Sequence, residues 1–316
     1  MLHEILDQPL PSWMKEVGPS NHIVLSSRIR LARNVRDLVF TNRQHKESLE
    51  KVNQLLRQVL PDVSEAYGKQ FSYISLEQLA PLEREILVEK HLMSAYEKAV
   101  KVDDALEGKI DYEFSERYGY LTACPTNVGT GMRASVMVHL PGLAATGKLQ
   151  RIIRSILQLG YSVRGLYGEG SEGLGNIYQI SNQRSMGISE EDTIKELEKV
   201  VAGVIREEEK ARTAVWEQNR ISLEDRVWRA YGILQYARHI TGEEALALLS
   251  NVQWGIVAGI LPAQDSQVFN ESIVITRPNF LMKYMGNDDA TPEERDVYRA
   301  SVLRDLLERR FNTDKL

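Results

Sequence analysis

The stretch Thr122-Ala-Cys-Pro-Thr-Asn-Val-Gly-Thr-Gly-Met-Arg133 decides the fold, because it joins two apolar runs that have the pattern of strands. Gly129 and Gly131 let a backbone pass close to a ligand and turn its N–H groups outward. Arg133 ends the turn with a planar guanidinium that can hold a phosphate oxygen. Cys124 is the only cysteine in the chain, and a thiolate among arginines has a lowered pKa. The alternative interpretation is a glycine-rich hairpin loop around a buried structural cysteine.

Composition predicts a soluble globular protein without disulfides. The 316 residues exceed the usual size of one domain, so we expect one large or two medium domains. The net charge of -5 argues against a general nucleic-acid binder, and a single cysteine suits a reducing cytosol. No apolar run approaches the roughly 18 residues that cross a bilayer, and no signal peptide begins the chain. We therefore expect a cytoplasmic protein without direct contact to nucleic acid or membrane.

Two other stretches carry arginine in patterns that suit an anion. Arg28 and Arg30 stand two residues apart on a predicted strand, so they share one face and repel each other unless an anion lies between them. Arg164 ends another strand-like run, before a loop with five glycines that carries Glu169 and Glu172. A solvated basic edge and a flexible linker are the alternative interpretations of these two stretches.

Helical periodicity surrounds and follows the strand-like runs. Apolar spacing predicts helices over 46–60, 95–106 and 142–160, and a longer helix that starts at Ser189 with a capping-box pattern. The pattern breaks at 217–221, so we predict a first domain over 1–218 and a helical C-terminal domain over 219–316. Three further helices are predicted to start at Ser222, Thr241 and Thr291.

The motifs, taken together, resemble those of the phosphagen (guanidino) kinase family. They are Ser27-Arg-Ile-Arg30, Cys124-Pro-Thr-Asn-Val-Gly-Thr-Gly-Met-Arg133, Arg164-Gly with the Glu169 loop, and Ile180-Ser-Asn182, in the family's order. The resemblance covers roughly residues 20 to 215. The layout is most similar to the bacterial protein arginine kinases of the McsB type, because only 22 residues precede Ile23 and a helical domain follows.

The resemblance implies an α+β fold, with helices packed on a mostly antiparallel sheet and an all-helical domain after it. It implies transfer of the γ-phosphate of ATP to arginine side chains of proteins, with Mg²⁺ held by phosphates and waters rather than by a dedicated protein site. The implied phosphate-binding residues are Arg28, Arg30, Arg133 and Arg164.

The resemblance also implies residues that act on the guanidinium. Glu169 would hold and deprotonate it, and Cys124 would contact it; Glu172 is a weaker candidate for the role of Glu169. Arg295 and Asp296, in the helix predicted at Thr291, would bind phosphoarginine. Without the resemblance, an ordinary solvated pair at a helix start is the better interpretation of these last two residues.

Further expectations about partners rest on the resemblance alone. They are a homodimer, protein substrates with exposed arginine, a zinc-finger activator protein, a stress-gene repressor as substrate, and delivery of products to a Clp ATPase and its protease. Two other functions stay open, namely a kinase for free arginine or another small guanidine, and a non-catalytic adaptor that binds phosphoarginine.

One family motif has no counterpart in this chain. The family carries an Asn-Glu-Glu-Asp-His stretch, with a phosphate-binding arginine after it, before the Cys-Pro motif. Here Glu89-Lys-His-Leu-Met-Ser94 runs straight into Ala95-Tyr-Glu-Lys98, which resembles a helix well beyond that stretch. Either the protein lacks a catalytic glutamate and an arginine, or a segment is missing from the sequence but not from the protein. Because deletion of paired strands is severely destabilising, we expect the second.

Overall fold

The computed structural model describes residues 22–38, 50–52, 54–59, 61–62, 92–165, 173–262 and 268–311. The strands are β1 Val24–Leu31, β2 Phe114–Ser115, β3 Gly119–Tyr120, β4 Met132–His139, β5 Tyr161–Gly165 and β6 Ile177–Asn182. The helices are α1 within 50–62, α2 Leu92–Glu107, α3 Pro141–Ala145, α4 Leu149–Gln158, α5 Glu190–Tyr236, α6 Gly242–Val257, α7 Val268–Ile275, α8 Pro278–Met285 and α9 Pro292–Arg310. Short 3₁₀ turns form at Pro125–Asn127 and Leu174–Asn176.

The sheet confirms the predicted α+β class. Within the described residues, four strands pair in the order β1-β4-β6-β5, and every pairing is antiparallel. The short strands β2 and β3 form a separate hairpin. This hairpin is joined to the turn before β4, since Tyr120 forms a bridge with Gly129.

The two faces of the sheet belong to two different apolar clusters, because successive side chains of a strand point to opposite faces. Val136 and Ile180 belong to an apolar cluster with Ile194 of α5. Met137 and Ile177 point the other way, into a cluster formed mainly by the C-terminal helices. Burying one such side chain contributes roughly 1.5–3 kcal/mol, so both faces stabilise the sheet.

A buried ion pair ties α5 to the sheet. The Glu208 carboxylate accepts hydrogen bonds from the backbone N–H groups of Gly142 and Leu143, both at 2.8 Å, and its Oε1 lies 2.6 Å from Nε of Arg212. Burial raises the pKa of Glu208, while Arg212 and the two N–H donors oppose that rise. Arg212 also donates to the carbonyl oxygen of His139 at 3.3 Å.

The predicted break at 217–221 is a kink and not an end of the helix. Helix α5 runs from Glu190 to Tyr236 with non-helical angles at Asn219 alone (φ −135°, ψ 31°), so no helix starts at Ser222. The helix continues because Val215 and Leu223, on the two sides of the kink, are buried in one cluster. The division into domains at 218/219 stays a prediction.

The remaining helix predictions have mixed outcomes. Ser189, Thr241 and Thr291 cap their helices as predicted, and Thr291 forms a full capping box with Glu294. The helix predicted over 142–160 is instead two helices, because Gly147 between them has φ +69°, which a helix cannot accommodate. Helix α2 confirms the prediction over 95–106, and the described residues of α1 agree with that over 46–60.

Helix α2 runs without a break through Ser94 and Ala95, where the family motif has no counterpart. In the described part of the chain, none of the helices combines the length and the apolar composition that crossing a membrane requires.

Candidate active site

The register of the sheet brings the predicted phosphate-binding arginines to one face. Arg30 of β1 lies opposite Arg133 of β4, and Arg28 lies opposite Ser135. Residues two apart on a strand point to the same face, so Arg28, Arg30 and Arg133 share a face. Arg164 lies opposite Gln179, which in turn lies opposite Met137 of β4, two residues from Ser135. All four arginines therefore project from the face that carries Met137, and not from the face that carries Val136 and packs against Ile194 of α5.

Arg30 and Arg133 form a like-charge pair across neighbouring strands. Directly opposed residues have Cβ atoms about 4.5–5.5 Å apart, and like charges at that separation destabilise a sheet. Arg30 is exposed and Arg133 is half-buried, so water screens this repulsion only in part. An anion between the two guanidinium groups would turn the repulsion into attraction, which makes this pair the strongest local indication of an anion site.

A row of serines, which the sequence analysis did not identify, lies beside the arginines on the same face. Ser135, Ser181 and Ser162 are opposite one another on β4, β6 and β5, and all three are buried. The hydroxyl oxygens of Ser162 and Ser181 are 2.6 Å apart and satisfy each other. Small side chains keep this part of the face low between the longer arginines. The signal was available, since Ser135 stands two residues after Arg133 and Ser162 two before Arg164.

The glycines of the turn serve backbone packing. The N–H of Gly129 donates to the carbonyl of Tyr120 at 3.2 Å, and that of Thr130 donates to Ser185 at 2.8 Å. A Cβ on Gly129 would lie 2.1 Å from the carbonyl oxygen of Ser185, and one on Gly131 would lie 2.5 Å from that of Ala32. The prediction that Gly129 presents its N–H to a ligand is therefore wrong, because a neighbouring backbone already occupies that position.

Arg33 holds the turn in place, a role that the sequence analysis missed. Its guanidinium donates to Asp103 at 2.5 and 2.9 Å and to the carbonyl of Thr130 at 3.0 Å. It also lies 3.6 Å from the centroid of the Tyr120 ring, a cation–π contact. Arg33 breaks the two-residue spacing of Arg28 and Arg30, which is the signal that it leaves their face.

Cys124 is exposed, which contradicts the alternative of a buried structural cysteine. Its sulfur lies 3.0 Å from the hydroxyl of Thr126. Hydrogen bonds from the side chain and backbone of Thr126 lower the pKa of Cys124, and the charge of Arg133 lowers it further. The pKa of Cys124 shifts in the predicted direction, but the main cause is Thr126, and Arg133 makes a smaller contribution.

The two carboxylates predicted for the guanidinium lie outside the described residues. Glu169 and Glu172 fall between Gly165, which ends β5, and Gly173, where the description resumes. Their roles stay predictions.

Arg295 and Asp296 lie near the N-terminus of α9, away from the sheet. Arg295 donates to the carbonyl of Ala290 at 2.8 Å. Asp296 forms an ion pair with Arg299 and lies 3.8 Å from Nε2 of His239. Arg299 is buried and donates to two backbone carbonyls as well, so it fixes Asp296. The spacing of Arg299, three residues after Asp296 on the helix, was the signal that could have identified it.

Among the residues that the structure describes, no group of three or more His, Cys, Asp or Glu side chains is arranged to hold a metal ion.

Two protein families match successive parts of the chain. The ATP:guanido phosphotransferase C-terminal catalytic domain matches residues 94–211, and the protein-arginine kinase McsB C-terminal domain matches residues 220–315. The second match covers α6 to α9, in which Arg295 and Asp296 lie.

Curated relatives match almost the whole chain. Proteins named protein-arginine kinase from Bacillus subtilis (strain 168) and Bacillus velezensis are each 41% identical to it. The match to the Bacillus subtilis protein covers 98% of this chain and 97% of that protein. The match to the Bacillus velezensis protein covers 97% of this chain and 96% of that protein. The two alignments extend over 358 and 353 residues, more than the 316 of this chain, so the relatives carry residues that have no counterpart here.

A solved structure supports the fold. The duplicated taurocyamine kinase from Schistosoma mansoni, with bound transition state analog components, superposes with a TM-score of 0.50. Sequence identity is 19%, and the match covers 89% of this chain and 50% of that one. At this identity the similarity concerns the architecture alone.

Proposed function

The chain belongs to the ATP:guanido phosphotransferases, in their protein-arginine kinase branch, and we propose that it transfers the γ-phosphate of ATP to arginine side chains of proteins. The observation that carries the proposal is the single face shared by Arg28, Arg30, Arg133 and Arg164. Relatives that are named protein-arginine kinase support the choice of acceptor.

The arginine face suits the chemistry of phosphoryl transfer. In this reaction the bond between the γ-phosphorus and its bridging oxygen breaks while a guanidine nitrogen forms a new bond to phosphorus. Negative charge spreads over the transferred group and the leaving oxygen, so catalysis depends on positioning and on neutralisation of charge. Four guanidinium groups on one sheet face can supply both, because the register of the strands sets the spacing of their backbone positions.

The nucleophile must lose a proton, because a guanidinium has a pKa above about 12. We assign the orientation of the guanidinium and the acceptance of its proton to Glu169. The pKa of Cys124 is lowered, so a thiolate at the start of the turn can hold the cationic acceptor near the arginine face.

The donor set of the face fits a nucleotide triphosphate. Guanidinium groups match phosphate oxygens in charge and geometry. Mg²⁺ would reach the site with the nucleotide, held by its phosphates and by water, and would neutralise part of the charge of the phosphates.

The wider setting belongs to the same proposal and is supported by the family resemblance. It comprises a homodimer, phosphoarginine binding by Arg295 and Asp296, a zinc-finger activator, a stress-gene repressor as substrate, and Clp-dependent proteolysis of the products. Arg299 would assist Asp296, since it holds that carboxylate in place.

The test offers γ-labelled ATP and Mg²⁺ with either an unstructured arginine-containing protein or free arginine, and maps the acid-labile label at neutral pH. We expect label on protein arginine and much less on free arginine. Arg154→Ala, an exposed arginine on α4, is the matched control for Arg133→Ala. Rapid labelling of free arginine with none on protein would replace the proposal by a small-guanidine kinase.

One observation favours a second candidate, a non-catalytic phosphoarginine adaptor. The chain lacks the Asn-Glu-Glu-Asp-His stretch, and its relatives carry residues without a counterpart here. An adaptor would transfer no label to either acceptor and would still bind a phosphoarginine peptide. Asp296→Asn should weaken that binding, whereas Asp305→Asn, on the same helix, should leave it unchanged.

A further inference from the structure

A groove of about 360 Å³ opens beside the glycine turn, on its hairpin side. This volume lies within the range of small ligand pockets, about 300–1,000 Å³. Three large apolar side chains on its rim are unusually exposed, at 52% for Phe114, 43% for Tyr118 and 46% for Met186. Exposed apolar side chains that cluster in one groove indicate a binding surface more strongly than the same residues scattered singly.

The wall of the groove is formed before any ligand arrives. The ring of Tyr120 contacts Arg33 on one side, and the Phe114 ring packs edge-on against it with centroids 5.2 Å apart. The hydroxyl of Tyr120 lies 3.3 Å from a carboxylate oxygen of Glu107. Because the aromatic wall is already ordered, a ligand that fills the groove does not have to immobilise it.

The groove and the turn that carries Cys124 are formed by the same stretch of backbone. Gly129 and Thr130 line the groove and lead directly to Arg133. Ser185, another lining residue, donates its hydroxyl to the carbonyls of Thr126 at 3.0 Å and Val128 at 2.8 Å, within the turn that begins at Cys124.

The distance between the groove and Cys124 can be spanned by a short peptide. Cys124 follows Tyr120 by four residues, so the two Cα atoms are at most about 14 Å apart. A polypeptide segment in extended form covers the same distance in about four residues. A side chain that close in sequence to an arginine held at Cys124 therefore reaches the groove.

We propose that this groove binds an apolar or aromatic side chain of the substrate polypeptide, within about four residues of the arginine to be phosphorylated. The proposal rests on the proposed function and specifies its substrate. Arg117 is the one charged residue among those lining the groove, and its guanidinium lies 5.1 Å from the centroid of the Tyr118 ring. The groove therefore disfavours a second basic residue and accepts neutral or acidic neighbours of the apolar side chain.

The experiment measures binding by fluorescence anisotropy, without nucleotide, to the full chain. Two labelled Gly/Ser peptides each contain one arginine. The first peptide has phenylalanine three residues before and three residues after the arginine, and the second has serine at both of these positions. We expect the phenylalanine peptide to bind at least tenfold more tightly, which corresponds to about 1.4 kcal/mol. A third peptide, with lysine at the same positions, should bind no better than the serine peptide.

Exposed positions allow variants with matched controls. Met186→Ser and Phe114→Ser should each reduce the preference to about twofold or less, whereas Leu159→Ser, which is 65% exposed on another part of the surface, should preserve it. Equal binding of the two peptides by the wild-type chain, or a preference that survives in both groove variants, would overturn the proposal.

Transfer of label to the same peptides is measured separately, so the two proposals can fail independently. Preferential binding without transfer supports the groove and contradicts the kinase, and transfer without preference contradicts the groove alone.

Discussion

Replacing Arg133 by methionine should weaken the binding of ATP without lowering the stability of the nucleotide-free protein. Methionine keeps an unbranched apolar stem on β4 but removes the guanidinium. A hydrogen bond to a charged group contributes about 1.5–3 kcal/mol, so we expect the affinity for ATP to fall by about 10- to 150-fold. In the nucleotide-free protein the same change removes the like-charge pair with Arg30. Cross-strand pairs contribute roughly 0.2–1 kcal/mol, so the free energy of unfolding should stay constant or rise within that range.

Calorimetric titration of Mg²⁺-ATP and urea denaturation without nucleotide measure the two effects. Arg154→Met on α4 is the control, because Arg154 is exposed on a helix and should leave both quantities unchanged. Thr126 lowers the pKa of Cys124 more than Arg133 does, so the Arg133→Met variant should alkylate only slightly more slowly at neutral pH. Unchanged ATP affinity, or a loss of several kcal/mol without nucleotide, would mean that Arg133 is a structural residue of the strand.

Three further predictions concern single residues. Glu169→Gln should reduce turnover by ~10²-fold or more and leave ATP binding nearly intact in a titration; wild-type turnover would remove Glu169 from the mechanism. The lowered pKa of Cys124 means that its thiolate persists as the pH falls, so alkylation should be fast below pH ~8 and slower with a bound guanidine analogue. A thiol that reacts only in denaturant would contradict this. Glu208→Ala should cost about 3–5 kcal/mol of unfolding free energy in urea, because it leaves Arg212 buried without its carboxylate. Glu207→Ala, at a half-buried position paired with the exposed Lys210, should change little, and equal effects would refute the assignment.

The arginine face could be predicted from sequence because it depends on local alternation. Arg28 and Arg30 share a face on any strand, and Arg133 and Arg164 each stand beside a strand-like run. The resemblance then implied that the sheet is mostly antiparallel, and the order in which its strands pair came from the structure. The helix caps at Thr241 and Thr291 were equally predictable, since capping depends on residues within one turn.

What could not be predicted depends on contacts between distant parts of the chain. The sequence suggested that Gly129 leaves space for a ligand. That space is instead filled by the backbone of Ser185, 56 positions later in the chain. Likewise, local polarity suggested a break at 217–221, but buried residues on both sides keep α5 helical through Asn219. Neither partner could be identified from one sequence, because periodicity carries no information about which elements meet.

Strand β4 explains how one sheet face serves both the candidate site and the core. Its side chains on that face are, in order, Arg133, Ser135, Met137 and His139, so a half-buried charge is followed by buried side chains along the strand. On the neighbouring strand β6, Ile177 lies opposite His139, Gln179 opposite Met137 and Ser181 opposite Ser135.

The C-terminal helices cover the end of this face that carries His139. His139 is fully buried there, with Nε2 2.8 Å from the hydroxyl of Ser250 on α6 and its ring 4.7 Å from that of Phe269 on α7. Burial lowers the pKa of His139, so the contact stays neutral at physiological pH and carries no competing charge. Because β4 is one rigid strand, helices that fix its buried end also fix the position of Arg133 at the other. The helical region therefore contributes to the geometry of the arginine face through the buried end of β4.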